Sequence, residues 1–129
     1  MPTILLADDD EILIEILRFR VEAAGHSVVI ARDGLQALEL VRASAPDLVI
    51  LDAMMPVMSG AEVLAALRAD DATANLPVIM LTARAGEDDV VRSLRAGAND
   101  YITKPFIPQE LTVRIDKLLE QSRASLRAA

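Results

Sequence analysis

Cysteine is absent from this chain of 129 residues, and histidine occurs once. Without cysteine, neither a disulfide framework nor a thiolate metal site can form. His26 alone does not supply the nitrogen and sulfur ligands that zinc prefers, and we interpret it as a solvated turn residue. No apolar run approaches the roughly 20 residues needed to cross a bilayer, so a membrane span is not expected.

Positive charge is also scarce. The chain has 13 Lys and Arg against 20 Asp and Glu, a formal net charge of -7. Proteins grip nucleic acids with clustered Lys and Arg, so direct nucleic-acid binding is not expected. The N-terminal Met-Pro-Thr lacks the segments of a secretion signal, and we expect a cytoplasmic location. At this length, one domain buries enough surface to fold alone.

Short apolar runs alternate with amphipathic stretches of helix length. This alternation predicts an α/β fold, a (βα)5 doubly wound five-stranded parallel sheet with right-handed crossovers. In the second helix, Leu35, Leu38 and Val41 lie at the spacing of a core face. The strands are predicted at residues 3–7, 28–31, 48–51, 77–82 and 101–103, and the helices from Asp8 to Ala24, Asp33 to before Pro46, Gly60 to Arg68, Glu87 to Gly97, and Pro108 onward.

The stretch from Pro46 to Gly60 contains the most informative acid. Four apolar residues end abruptly in Asp52, which indicates a buried strand that delivers one carboxylate to its carboxyl end. Ligands of open α/β sheets collect in the crevice beyond these strand ends. If the first and third strands are neighbours, Asp8 and Asp9 face Asp52 across this crevice.

Three carboxylates in one crevice repel one another, by roughly 4 kcal/mol per pair at 4 Å and an effective dielectric constant of 20. Ligation by oxygen alone favours Mg²⁺ as the counter-charge. Thr82 and Lys104 arrive at two further strand ends. With Mg²⁺ and Lys104 the local charge is near zero, which suits an incoming phosphoryl group and makes Asp52 a candidate nucleophile for an acyl phosphate.

Five separated motifs between about Thr3 and Gln121 resemble the receiver domain of two-component response regulators, the CheY-like family. They are Asp8-Asp9, Asp52 with its Met-Pro-x-Met-x-Gly, Thr82-Ala83, Tyr101 and Lys104-Pro105-Phe106. The resemblance implies the flavodoxin-like strand order 2-1-3-4-5 and a cis bond before Pro105. It also implies a phosphoacceptor regulatory domain, which catalyses only its own phosphorylation and dephosphorylation. We divide the chain into a receiver domain, residues 1–121, and a helical extension or tail, residues 122–129.

The same resemblance implies roles for single residues. Asp52 takes phosphate from a sensor histidine kinase or a histidine phosphotransfer protein. Asp9 ligates Mg²⁺ directly, Asp8 ligates it partly through water, and the backbone carbonyl of Met54 completes the protein ligands. Met54 and Arg84 flank the access of water, and their bulk suggests slow loss of phosphate.

A readout is implied as well. Phosphorylation draws Thr82 toward the phosphoryl group and lets Tyr101 rotate inward. This change reshapes the face made by the fourth helix, the fifth strand and the last helix, which contacts a downstream effector or forms a homodimer.

The first helix carries two apolar stripes, although one core face needs only one of them. The second stripe either packs on the last helix or forms an exposed docking patch for the phosphodonor. The first stripe is Leu13, Leu17, Val21 and Ala24, and the second is Ile12, Ile16, Phe19 and Ala23.

Three other functions share some of these sequence features. A haloacid-dehalogenase-like phosphatase also uses an aspartate, Mg²⁺, a threonine and a lysine, but the later acidic pair and the cap domain are missing here. A flavodoxin is excluded because three aspartates in its first loop would repel the cofactor's phosphate. A pseudo-receiver that serves only as a binding module stays open.

Overall fold

The apolar runs form five short strands and the amphipathic stretches form helices, close to the predicted bounds. The computed structural model describes residues 1–83, 91–92 and 94–128, with side chains to residue 122. Arg84 and the predicted start of the fourth helix at Glu87 lie outside the described residues. The strands are β1 Thr3–Ala7, β2 Ser27–Ala31, β3 Leu48–Asp52, β4 Val78–Thr82 and β5 Asp100–Thr103, and the helices are α1 Glu11–Ala23, α2 Gly34–Ser44, α3 Gly60–Ala69 and a C-terminal helix, Pro108–Ala128.

All described strand pairs are parallel, in the order β2-β1-β3-β4-β5. This confirms the order implied by the resemblance. Ala7 at the end of β1 lies opposite Leu51, and Asp52 lies opposite Leu81 of β4. Because strand order reverses at β1 and β3, the residues after these two strands border one crevice at the carboxyl edge of the sheet.

Alternate residues of each strand face opposite sides of the sheet, so two separate apolar clusters form. In β1, Leu5 belongs to one cluster and both Ile4 and Leu6 belong to the other. Helices cover both faces, which is why β3 and β4 are buried along their whole length. The first cluster includes Leu38, Val41, Val63, Leu64 and Leu67 of α2 and α3, and the second includes Leu17, Val21, Leu111, Ile115 and Leu119 of α1 and the C-terminal helix.

Side chains at their N-termini fix where α1, α2 and α3 start near the carboxyl edge. The Asp10 carboxylate accepts hydrogen bonds from the amides of Ile12 and Leu13, both 3.1 Å long. Asp33 caps α2 by accepting from the Gln36 amide at 2.7 Å. Ser59 and Glu62 form a reciprocal capping box on α3.

Some burial predictions were wrong. His26 is buried rather than solvated, at 8% exposure, and its Nε2 lies 2.9 Å from Asp116 Oδ1 of the C-terminal helix. Leu35 is 46% exposed and Ala24 is exposed. On α1, Leu17 and Val21 are buried as expected, because the sheet and the C-terminal helix approach from that side. Ile14 is buried with them, although it was not predicted.

The second stripe of α1 is left uncovered by the described part of the chain. Ile12, Ile16 and Phe19 are 76%, 47% and 72% exposed. The alternative in which the last helix covers this stripe is therefore wrong. Among the described helices, none combines the length and the apolar character that a membrane span requires.

Candidate functional site

Three carboxylates meet at the carboxyl edge of the sheet, as the sequence predicted. One carboxylate oxygen from each of Asp8, Asp9 and Asp52 lies within 4.8 Å of the other two. Asp8 and Asp52 are 2% and 6% exposed, whereas Asp9 faces solvent. The adjacency of β1 and β3 brings these residues together, and the exposed Asp9 leaves the group open on one side.

Lys104 enters the same crevice from the end of β5. Its Nζ donates to Asp8 Oδ2 at 2.9 Å and lies 3.5 Å from Asp52 Oδ1. The Lys104 amide donates to the carbonyl oxygen of Thr82 at 2.7 Å, and the peptide bond to Pro105 is cis, as expected. The lysine thus points inward and bridges two of the carboxylates.

The Asp8 and Asp52 carboxylates also accept backbone hydrogen bonds. The Asp10 amide donates to Asp8 Oδ1 at 2.9 Å, so both Asp8 oxygens have a hydrogen-bonding partner within the protein. The Met54 amide donates to Asp52 Oδ1 at 3.3 Å. The three consecutive acids therefore have different roles. Asp10 caps α1, while Asp8 and Asp9 face the crevice.

The charges in the crevice do not balance. Burial raises the pKa of Asp52, and the charge of Asp8 raises it further, while Lys104 and the Met54 amide lower it less. Burial lowers the pKa of Lys104, but its hydrogen bond to Asp8 and the charges of Asp8 and Asp52 together raise it. The lysine therefore stays protonated, and among the described residues one ammonium accompanies the three carboxylates.

Thr82 and Tyr101 occupy different parts of this edge. Thr82 ends β4, the strand next to β3, and is 6% exposed. Tyr101 lies in β5 opposite Met80, where it is half-buried against the cluster under α2 and α3. The sheet thus places Thr82 beside the strand that ends in Asp52, with Tyr101 one strand further along.

The donor set fits a hard divalent cation. The three carboxylates offer oxygen only, and two of them are held in a buried crevice while the third is open to solvent. Mg²⁺ prefers a few carboxylates and keeps several waters, which this open arrangement permits. The remaining negative charge in the crevice favours such an ion further.

Sequence reasoning treated Gly60 as a turn residue and missed its contact with the site. A Cβ on Gly60 would overlap the carbonyl oxygen of Asp52, and the Gly60 amide donates to the Ala53 carbonyl at 3.2 Å. The loop between β3 and α3 therefore closes tightly behind Asp52. The glycine in Met-Pro-x-Met-x-Gly indicates a turn in the sequence, but it does not indicate that the Asp52 backbone lies against it.

Comparison with known proteins agrees with this geometry. The family model of the response regulator receiver domain matches residues 4–116. This chain belongs to that family. It is therefore a receiver domain, a regulatory domain with a phosphoacceptor signalling role.

The chain is similar to curated response regulators and to a solved receiver-domain structure. It is 40% identical over 92% of its length to the alkaline phosphatase synthesis transcriptional regulatory protein PhoP of Bacillus subtilis, covering 49% of that protein. It is 44% identical over 92% of its length to the DNA-binding response regulator MtrA of Mycobacterium tuberculosis, covering 51% of it. The Francisella response regulator 1452 receiver domain superimposes with a TM-score of 0.90 at 34% identity, over 95% of this chain and 99% of that one.

The chain spans about half the length of the curated relatives it matches. It corresponds instead to nearly the whole of the Francisella receiver domain. The similarity thus concerns the receiver unit. Neither the phosphatase nor the pseudo-receiver interpretation is favoured by these relatives.

Proposed function

We propose that Asp52 is the phosphoacceptor of this receiver domain. The observation that carries the proposal is the buried Asp52 carboxylate, grouped with two further aspartates and bridged to Asp8 by Lys104. A carboxylate oxygen of Asp52 attacks phosphorus, and the bond from phosphorus to one imidazole nitrogen of the donor breaks with its electron pair leaving on that nitrogen, while the other ring nitrogen keeps its proton. The product is an acyl phosphate on Asp52 and a neutral histidine on the donor.

The domain catalyses only this step and the later hydrolysis. The Lys104 ammonium lies 3.5 Å from Asp52 Oδ1, within reach of a phosphoryl oxygen attached there. The Thr82 hydroxyl, at the end of the neighbouring strand, would donate to a second phosphoryl oxygen. Both groups act by binding negative charge that increases on the transferred group.

Asp8, Asp9, Asp52 and the Met54 carbonyl would hold Mg²⁺. When bound, the ion neutralises charge on the phosphoryl oxygens and so lowers the barrier to transfer. Asp8 hydrogen bonds to both the Asp10 amide and Lys104, which supports contact through water, whereas the exposed Asp9 is free to turn toward the ion. The remaining proposed ligands belong to the end of β3 and the loop after it.

A histidine kinase or histidine phosphotransfer protein would dock beside the site, on the exposed stripe of Ile12, Ile16 and Phe19. This stripe continues from the first turn of α1, directly after the acids. We expect Ile16→Glu and Phe19→Glu to slow phosphotransfer from the protein donor while leaving labelling by acetyl phosphate unchanged. Val113→Glu, at an exposed site on the C-terminal helix, is the control. Unchanged transfer rates in folded variants contradict this docking surface.

The output would pass through another surface of the domain. Movement of Thr82 and Tyr101 on phosphorylation would change the face formed by the fourth helix, β5 and the C-terminal helix. Val91 and Leu94, which precede β5 in the chain, expose 40% and 47% of their surface. A downstream effector or a second copy of the chain would bind this face, and sedimentation with and without acetyl phosphate tests the homodimer.

One experiment tests the phosphoacceptor. Incubation with acetyl phosphate and Mg²⁺ should add about 80 Da to the intact mass, the mass of one phosphoryl group. Asp52→Asn should abolish the adduct, whereas Asp71→Asn, an exposed acid far from the crevice in sequence, should keep it. An adduct that persists in Asp52→Asn contradicts the assignment, and steady release of phosphate without an adduct indicates a phosphatase.

A further inference from the structure

The loop between β3 and α3 contains an unusual turn beside the site. Val57 has a φ of 70°, and the Met58 amide donates across it to the Pro56 carbonyl at 2.7 Å. This pattern is a γ-turn with positive φ, a rare and strained conformation. A β-branched residue is disfavoured there, so neighbouring structure must hold the turn in place.

The N-terminus of α2 supplies a neighbour. The Gly34 amide donates to the same Pro56 carbonyl at 3.5 Å. A Cβ on Gly34 would overlap the Met58 carbonyl oxygen and lie 2.6 Å from its carbon. Only glycine lets the helix end approach the turn this closely, because every other residue carries a Cβ.

An added Cβ would move the loop rather than the helix. Ala37, Leu38 and Val41 fix α2 in the core cluster. Met54 and Val57 of the loop are instead 77% and 75% exposed, and Met58 is only half-buried against that cluster, so less packing holds the loop than holds α2. The loop is also tied to the site, since the Met54 amide donates to Asp52 and the Gly60 amide to Ala53.

We propose that Gly34 is a positioning residue for the magnesium-binding loop. Its missing side chain lets the start of α2 support the γ-turn at Val57, and this support holds the loop where the Met54 carbonyl and Asp52 serve the same ion. The inference rests on the proposed function, because Met54 is assigned as a ligand there.

The test is an NMR titration with MgCl₂ that follows the backbone amides of residues 52–55. Gly34→Ala should weaken Mg²⁺ binding about tenfold, as loss of a group supporting metal ligands commonly does. Gly25→Ala is the matched control, because Gly25 has a φ of 95° and a Cβ there contacts nothing within 4 Å. It should lower the melting temperature but keep the Mg²⁺ affinity within about twofold of the wild type.

A second variant distinguishes positioning from general stability. Val57→Gly removes the strain of positive φ, so it should raise the melting temperature by about 2 °C and leave Mg²⁺ affinity unchanged. In the double variant with Gly34→Ala, the flexible glycine should let the turn yield and restore part of the lost affinity. A purely structural role for Gly34 does not predict this rescue.

The outcomes are separable. Wild-type protein that neither binds Mg²⁺ nor forms the acyl phosphate contradicts the proposed function. Wild-type binding together with equal binding by folded Gly34→Ala overturns only the role of Gly34. If Gly34→Ala does not fold, Val57→Gly decides, since an unchanged or lower melting temperature shows that no strained turn is being held.

Discussion

The two edges of the sheet treat charge in opposite ways. At the carboxyl edge, Asp8 and Asp52 are buried together with one ammonium from Lys104. At the amino edge, Arg68 extends from the end of α3 toward the residues before β5. Its guanidinium donates to the carbonyls of Gly97 and Thr73 and to the side chain of Asn99, at 3.0, 3.2 and 3.0 Å.

The amino edge is satisfied by neutral partners. Asn99 Oδ1 also accepts from the Val78 amide at 2.9 Å, so Arg68 is linked to the starts of both β4 and β5. Burial lowers the pKa of Arg68, but not enough to discharge it. Each nitrogen of the guanidinium has an acceptor, and the arrangement stabilises the fold without a ligand.

At the carboxyl edge, by contrast, burial of the ionised Asp52 beside Asp8 destabilises the folded state. The raised pKa of Asp52 shows that burial and Asp8 outweigh Lys104. A bound cation or phosphoryl group changes the balance of charges at this edge. At the amino edge, Arg68 already has acceptors within the protein. The comparison teaches that the functional edge is the one left incomplete by the protein's own charges.

Mg²⁺ should have the largest effect and should act at one edge only. At 100 times its dissociation constant it should raise the free energy of unfolding by about 2.7 kcal/mol. Asp52→Asn should lose most of this gain at the same concentration, whereas a variant of Arg68 should keep it. Urea unfolding with and without MgCl₂ measures the difference, and equal stabilisation of Asp52→Asn would contradict the assignment of the ligands.

Arg68→Met should break the amino edge. We expect a loss of about 2 kcal/mol in the free energy of unfolding, because three carbonyl oxygens lose a charged donor. The rate of labelling by acetyl phosphate should stay within about twofold of the wild type, since the catalytic groups lie at the other edge. Arg42→Met, at an exposed position of α2, is the control, and a similar loss there would remove the special role of Arg68.

Asp52→Asn should stabilise the protein when Mg²⁺ is absent. The folded-state pKa of Asp52 is raised, so the ionised carboxylate destabilises the native state at neutral pH. The variant should gain on the order of 1 kcal/mol at pH 7. This gain should decrease as the pH falls through the raised pKa and vanish below the ordinary value of 3.8, where both states are protonated. A gain that does not depend on pH would refute the electrostatic origin.

The ion pair between Arg114 and Asp100 should matter least. Arg114 Nη1 lies 2.7 and 2.8 Å from the two carboxylate oxygens, but its side chain is 37% exposed. Arg114→Met should lower the free energy of unfolding by less than about 1 kcal/mol. Added NaCl at about 0.5 M should remove most of the difference between the variant and the wild type, because salt screens exposed ion pairs. A larger loss that resists salt would mean that this pair acts as a buried one.

Sequence reasoning located the strands well because their signal is local. The apolar runs ending at Ala7, Asp52 and Thr82 have lengths and flanking residues that only buried parallel strands combine. The start of α2 after Asp33 was equally readable, because a capping residue acts on the amides next to it. For α1 the acids marked the start, but only the structure shows that Asp10 and not Asp8 is the cap. The acids of the site followed from their positions after strands.

Burial on helix surfaces was harder to predict. Periodicity placed Leu35 and Ala24 in the core, but both side chains are exposed in the structure. His26 looked solvated beside a glycine, yet the C-terminal helix covers it and brings Asp116 within 2.9 Å. A periodic pattern of apolar residues shows which side of a helix is apolar, but it does not show which other element packs against that side.

By itself the sequence determined the α/β alternation, the acids after β1 and β3 and the lysine after β5, because these depend on local pattern and chain order. Only the tertiary structure decided that Lys104 bridges Asp8 and Asp52, that the stripe with Ile12 and Phe19 stays exposed, and that Gly34 supports the turn at Val57. Each of these depends on packing between segments distant in the chain, and local propensity does not encode which surfaces meet.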